Sequence, residues 1–311
     1  MTQLSIVIPC FNEEAVLPET ARRLHDRLNA LRTAGSISES SALYFVDDGS
    51  SDGTWRIIRD LAASSPFVHG IRLSRNRGHQ NALIAGLMTV PGDAVISIDA
   101  DLQDDPAAID EMVRAHLGGA DIVYGVRRNR ASDTRFKRLT ALAYYRVLAL
   151  LGVHIVYNHA DYRLLSRRAL EALSQFSESN LFLRGIVPQL GFNSATVFYD
   201  RAERYAGTSK YPFRRMAAFA IQGVTSFSAA PLRAITGLGL AVAVTSLAGG
   251  GWVLWERLWN AKVVPGWAST VLPVFFLGGV QMLCLGVIGE YVAKIYMELK
   301  MRPRYFIDSE V

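Results

Sequence analysis

Over the first 125 residues, short β-rich apolar runs alternate with stretches whose apolar positions recur at helical spacing. Residues 4–9, 43–46, 68–73, 95–98 and 121–125 read as strands, bounded by proline, glycine or acidic turn residues. Between them, Val16, Leu17, Leu24, Leu28 and Leu31 mark a helix opened by Asn12-Glu13-Glu14. Trp55, Ile57, Ile58 and Leu61 mark a second, and a helix of small residues begins at Ala82. Asp105 and Pro106 stand as N-cap and first position of a fourth. This regular β–α alternation predicts an α/β domain with a doubly wound, mostly parallel sheet.

The pattern changes after residue 212. Met216, Phe219, Ala220, Val224 and Phe227 recur at helical spacing behind Arg214 and Arg215, which fits an amphipathic helix lying in a membrane interface; a core helix has the same period. Two long apolar runs follow, residues 234–255 and 268–290, each able to cross a bilayer core of roughly 30 Å. Trp252, Trp255, Trp259 and Trp267 cluster near the turn between them, as in an interfacial belt. Arg214, Arg215 and Arg233 precede the first run, and Lys294, Lys300, Arg302 and Arg304 follow the second. Positive-inside bias then predicts a multi-pass protein with both termini in the cytoplasm. The expected organisation is an α/β domain over 1–212, an interfacial helix over 213–232, and a transmembrane hairpin with a cytoplasmic tail over 233–311.

Composition sharpens this picture. Hydrophobic residues make up 50% of the 311, and the net charge of +5 suits an anionic membrane surface or phosphorylated substrates. No basic face interleaved with aromatics stands out, so nucleic acid is not an expected partner. Cys10 and Cys284 form neither a pair nor a metal motif, which points to a reducing compartment. No basic stretch or cleavage site precedes the first strand, so the α/β domain is expected to stay in the cytoplasm.

The candidate chemistry lies at the strand ends, which share one edge of such a sheet. Pro9, Asn12 and Glu13 follow the first strand, and Asp47 and Asp48 the second. Arg75 to Gly78 follow the third, and Asp99, Asp101 and Gln103 the fourth. Each stretch alone reads equally well as a solvated turn; four converging on one edge point to a ligand site. Oxygen ligands two residues apart suit a hard divalent cation that keeps positions for water and phosphates. Asp47 and Asp48 suit a base or ribose, and together with the metal pair they suggest a sugar nucleotide. There is no Gly-x-Gly-x-x-Gly after the first strand and no Walker A, which removes the dinucleotide and P-loop readings. Farther along, Arg204 and Lys210 bracket Gly207 and suit an anionic lipid head group, or else an ordinary positive-inside flank.

Three stretches, Ser5 to Glu14, Val46 to Thr54 and Asp99 to Pro106, together resemble glycosyltransferase family 2. The resemblance implies a GT-A fold using Asp-x-Asp with Mg²⁺ or Mn²⁺. More narrowly, nearly the whole chain is similar to polyisoprenyl-phosphate glycosyltransferases, the bactoprenol glucosyltransferases and dolichol-phosphate mannose synthases. It implies inverting transfer of a hexose, glucose from UDP-glucose, to undecaprenyl or another polyprenyl phosphate in cell-envelope glycan modification. Mannose, N-acetylgalactosamine and aminoarabinose derivatives are the alternative sugars. Residues 158–167 look like the bactoprenol enzymes' Gly-Asp-Phe-Arg-Leu segment, which puts the acceptor-side aspartate at Asp161, as base or orienting group. The other reading of Asp161 is a pair with Arg163 that fixes a turn.

The expected sites follow from both lines of reasoning. Asp101 and Asp161 are the catalytic candidates, and Asp99, Asp101 and Gln103 the metal ligands. Pro9, Phe11, Asn12, Glu13, Asp47, Asp48, Arg75, Gly78 and Asp99 would line the sugar nucleotide. By similarity, Arg127, Arg138, Arg204, Ser209 and Lys210 would meet the lipid phosphate. Relatives form homo-oligomers, and the basic tail after Met301 is a candidate to reach a neighbouring copy. Three competing readings exist. A processive polysaccharide synthase would carry Gln-x-x-Arg-Trp and more spans. A haloacid-dehalogenase-type phosphatase would have Thr or Val where Leu102 and Gln103 stand. A membrane-anchored nucleotide-binding regulator would transfer nothing.

Overall fold

The computed structural model describes residues 1–128, 159–178, 183–200, 230–259 and 266–311. Two compact units emerge. The first takes in the N-terminal α/β region together with Met301–Val311, and the second is built mainly from Phe213–Lys300.

In the first unit, β1 (Leu4–Cys10), β2 (Ala42–Asp47), β3 (Val68–Leu73) and β4 (Ala94–Ser97) alternate with α1 (Leu17–Thr33), α2 (Thr54–Ser64), α3 (His79–Thr89) and α4 (Ala108–Leu117). β5 (Ile122–Arg127), β6 (His159–Ser166), α5 (Arg167–Ser174), β7 (Ser194–Tyr199) and β8 (Ile307–Glu310) complete the sheet and its cover. The strand order is β7-β5-β6-β4-β1-β2-β3-β8. β1 is parallel to β2 and β4, β2 to β3, and β5 to β7. β6 runs antiparallel to both β4 and β5. The sheet is therefore mixed but mostly parallel, an α/β arrangement of the GT-A type. β1 is buried along its whole length, because helices cover both faces of a central parallel strand. Ile6, Ile8, Phe45, Leu24 and Leu28 meet in the core between the sheet and α1.

Three local readings change. Asn12 to Glu14 form a turn rather than the start of a helix, Asn12 has φ 56°, and α1 begins only at Leu17. α4 begins at Ala108, two residues past Pro106, because the Asp105 carboxylate accepts the Ala107 N–H in a tight turn first. The tail after Met301, expected to be available to a neighbour, instead returns to this unit. There β8 pairs antiparallel with β3.

The second unit contains two long helices, α6 (Ala230–Trp259) and α7 (Trp267–Leu299). Among the described residues one stretch is long and apolar enough to cross a membrane, Phe276–Leu299. The interfacial helix expected over 213–232 lies almost wholly outside the described residues.

Candidate active site

The C-terminal ends of β1 to β4 converge, and their loops are stitched to one another. The β1 and β2 loops bond reciprocally: the Asn12 amide oxygen accepts the Ser51 N–H at 2.9 Å, and Glu14 accepts the Gly53 N–H at 2.7 Å. The Glu13 N–H donates to the Thr54 hydroxyl at 2.9 Å. Asn12, expected at the nucleotide, thus has its side-chain oxygen engaged in this stitch, whereas Phe11 beside it is exposed. The β2 and β3 loops join through Asp48, whose two oxygens accept the N–H groups of Arg77 at 2.7 Å and Gly78 at 2.9 Å. Gly49 makes this approach possible. It has φ +68°, and a Cβ there would lie 2.7 Å from the backbone of Arg75 and Asn76. Burial pushes the Asp48 carboxyl upward and Asp47 adds to this, while the two N–H bonds oppose it.

Asp47 is fully buried. One oxygen accepts the Ser50 N–H at 3.1 Å; the other lies 3.5 Å from Arg72 Nε and has no hydrogen-bond partner among the described residues. A buried carboxylate oxygen without a donor is costly unless a ligand supplies one.

The acidic loop after β4 is held from three sides. The Thr20 hydroxyl donates to the Ala100 carbonyl at 2.7 Å, and the Asp101 carboxylate accepts the Gln103 N–H at 3.2 Å. Leu102 takes φ 57°, an unusual conformation for leucine, which the surrounding bonds impose. Asp104 is buried and receives Arg127 at 3.0 Å and the Tyr199 hydroxyl at 2.5 Å. Arg127 was expected at a lipid phosphate; here its guanidinium is held by Asp104 and Tyr199, anchoring the acidic loop to β5 and β7. Burial raises the Tyr199 hydroxyl pKa far above its ordinary value, and the Asp104 charge adds to this. The other oxygen of Asp104 has no partner among the described residues. Tyr199→Phe is therefore expected to lower stability by about 1.5–3 kcal/mol, as for a hydrogen bond to a charged group. A denaturant midpoint unchanged from the parent would show that the hydroxyl contributes nothing.

Asp161 lies on β6, buried beside the acidic loop. Arg163 Nη2 approaches it at 2.5 Å, Gln80 at 3.1 Å and Arg184 at 3.3 Å. His79, at the start of α3, bridges two carboxylates: its Nε2 is 3.5 Å from Asp99 and 3.6 Å from Asp161. Burial alone would raise the Asp161 carboxyl. The contact with His79 and the charges of Arg184, Arg163 and His79 outweigh it and hold the group well below the carboxylate range. Burial lowers His79, but the contact with Asp161 and the charges of Asp99 and Asp161 outweigh it and raise the group, with Arg184 opposing. Asp99 is pushed up to about 6 by burial and by the charges of Asp104, Asp161 and Asp101, with His79 opposing.

The crowding of acids at Asp99 is the feature a cation would relieve. Among the described residues no three His, Cys, Asp or Glu side chains form a metal cage. Two carboxylates, with the remaining positions left to water and phosphate oxygens, are nevertheless the donor set that Mg²⁺ and Mn²⁺ accept. Asp99 and Asp101 fit that role. Arg138, Arg204, Ser209 and Lys210 lie outside the described residues. His79, Gln80, Arg184, Asp104 and Tyr199, which the sequence did not single out, surround these candidate carboxylates in the structure. Of these, only Asp104 carried a sequence signal, its place inside the acidic stretch.

The sequence profile of glycosyl transferase family 2 matches residues 5–174. The chain is 48% identical over 311 residues to YkoT, an uncharacterized glycosyltransferase of Bacillus subtilis, covering 99% of this chain and 92% of the relative. It is 39% identical over 312 residues to the bactoprenol glucosyl transferase of Shigella phage SfV, covering 99% of both. Among solved structures, it is similar to glucosyl-3-phosphoglycerate synthase from Mycobacterium tuberculosis, crystallised with Mn²⁺, UDP-glucose and phosphoglyceric acid. That match has 23% identity and a TM-score of 0.48, and covers 72% of this chain and 78% of the other.

Proposed function

Because this chain belongs to glycosyltransferase family 2, we propose that it transfers glucose from UDP-glucose to a polyprenyl phosphate such as undecaprenyl phosphate, with inversion, at the cytoplasmic membrane. The observation that carries this reading is the likeness to bactoprenol glucosyl transferases over nearly the full length of both chains, apolar C-terminal third included.

The residues divide the work by chemistry. Asp47 offers its buried oxygen to a base N–H or ribose hydroxyl, and Asp48 holds the Arg77–Gly78 backbone against the donor. Asp99 and Asp101, with Gln103 beside them, hold a divalent cation, Mg²⁺ or Mn²⁺. When bound, that cation neutralises charge on the departing diphosphate. A phosphate oxygen is already a nucleophile at neutral pH, so no strong base is required. Asp161, held ionised by the His79 contact and two guanidinium groups, acts as an organiser of the acceptor side rather than a proton acceptor. Arg204, Ser209 and Lys210, with Arg138, bind the lipid phosphate.

In the membrane, α6 and α7 form a hairpin with both termini in the cytoplasm. Their 30 and 33 residues give lengths of roughly 45 and 50 Å at 1.5 Å per residue, more than a bilayer core requires. Apolar side chains along both helices, Leu240, Val244, Phe276 and Leu285 among them, are exposed in the isolated chain, as lipid-facing residues are. The α/β domain is cytoplasmic, and the protein works as a homo-oligomer.

The deciding experiment incubates the detergent-solubilised chain with undecaprenyl phosphate and single radiolabelled nucleotide sugars, then extracts the lipid. Label from UDP-glucose in the lipid phase is the expected result. Label from another sugar alone would reassign the donor, and label from none would leave a nucleotide-binding regulator. Arg204→Ala is expected to raise the KM for the lipid about tenfold with the KM for UDP-glucose unchanged, the scale of one charge-assisted phosphate contact. An unchanged lipid KM would remove Arg204 from the acceptor site.

A further inference from the structure

β8 is short and polar, and the proposed chemistry makes no use of it. Yet it docks on the strand that leads into the donor edge. Ile71 pairs with Glu310, Arg72 with Ser309 and Leu73 with Ile307. Beyond the ladder, the Gly70 N–H donates to the Val311 carbonyl at 2.8 Å, and the Val311 N–H returns to Gly70 at 2.9 Å. Gly70 is shaped for this contact: a Cβ there would come within 2.9 Å of the Val311 side chain and 2.4 Å of Ile58. At the other end, the Ser74 N–H donates to the Phe306 carbonyl at 3.0 Å, and the Arg77 guanidinium lies 5.9 Å from the Phe306 ring centroid. Arg304 ties the entry to this strand down by donating to the Phe176 carbonyl.

These contacts bracket one loop. Ser74 is bonded to the Phe306 carbonyl, the Arg77 guanidinium lies over its ring at the outer reach of a cation–π contact, and the N–H groups of Arg77 and Gly78 hold both oxygens of Asp48. We infer that residues 304–311 form a clasp that fixes the Ser74–Gly78 loop, and through it Asp48, making Phe306 a positioning residue for the sugar nucleotide. The inference rests on the reading of Asp48 as a donor-side group.

The test uses the full chain in detergent with UDP-glucose as the probe donor. Phe306→Ala is expected to raise the KM for UDP-glucose about fivefold, on the scale of one lost cation–π contact and a loosened loop. kcat and the lipid KM should stay within about twofold, and Phe306→Tyr should restore the donor KM. Hydrogen–deuterium exchange at residues 74–78 should quicken in Phe306→Ala and return to the parent rate in Phe306→Tyr. Unchanged exchange there overturns Phe306 as the positioning residue of the clasp. Faster exchange with an unchanged donor KM overturns its role in donor binding, and a parallel rise in both substrate KM values marks a merely structural strand. A parent protein that transfers no glucose refutes the proposed donor instead, and the exchange rates then decide the clasp by themselves.

Discussion

Asp101→Asn is expected to reduce sugar transfer by about a thousandfold, roughly 4 kcal/mol of transition-state stabilisation, while the protein stays folded. The amide matches the carboxylate in shape and still offers an oxygen to the Gln103 N–H, so that bond of the loop is kept. What it lacks is the charge. With Asp101 neutral, a divalent cation retains Asp99, a carboxyl whose pKa of about 6 already reflects burial and crowding by other acids. Charge developing on the diphosphate then goes largely unopposed. Three measurements separate this from misfolding: transfer rate, thermal midpoint, and Mn²⁺ affinity by titration. A variant that keeps more than a tenth of parental activity, or that binds Mn²⁺ as before, would remove Asp101 from the metal site.

The second large effect belongs to Asp161 and lies in stability as well as activity. Arg163 is almost wholly buried, and its closest partner is the Asp161 carboxylate at 2.5 Å. Asp161→Ala leaves that guanidinium buried beside a cavity, at a cost of about 3–5 kcal/mol, typical of breaking one side of a buried ion pair. Asp161→Asn retains the volume and removes the charge, so a smaller loss of the same sign is expected. Both variants should transfer little sugar, because His79 and Arg184 lose the group that orients them.

The pH dependence has a definite direction. The folded carboxyl of Asp161 lies well below its ordinary value of 3.8, so its contribution is complete above that pH and fades as pH falls toward the folded value. His79 works in reverse. Its folded pKa is raised above 6.5, so its contribution is present below that pH and fades as pH rises through the folded value. Melting the parent and Asp161→Asn between pH 3 and 7 should give curves that converge toward the acid end. Parallel curves would show that Asp161 is not held ionised. An activity profile of the parent with a limb near pH 4, moved by Asp161→Asn, would restore the proton-acceptor role that its ionised state argues against.

The legible part of this site was the part that follows from strands and the turns after them. Asp47, Asp48, Asp99 and Asp101 were readable because each follows directly on an apolar run, and parallel strands deliver all such ends to one edge. Residues contributed through long-range pairing were not. His79 stands 20 residues from Asp99 and 82 from Asp161, and nothing in its neighbourhood distinguishes it from any histidine opening a helix. Arg127 looked like a phosphate ligand because a basic residue at a strand end has the same pattern whether it faces solvent or a buried carboxylate. The structure adds what the pattern lacks, Asp104 folded beneath it and Tyr199 arriving from β7. Asp161 had two readings in sequence, an acceptor-side group and a partner of Arg163; the structure shows the pair with Arg163 and adds Arg184, Gln80 and His79 around the same carboxylate.

By itself the sequence determined the β–α alternation, the acidic strand ends and the two long apolar helices, because periodicity and turn chemistry are local properties that a short window contains. Only the tertiary structure decided that β6 slips antiparallel between β4 and β5, and that the polar stretch Ile307–Glu310 becomes a strand. Strand pairing is a contract between distant segments: Ile307-Asp308-Ser309-Glu310 has no alternating apolar face to announce itself, and its order comes from the unpaired edge of β3 that accepts it.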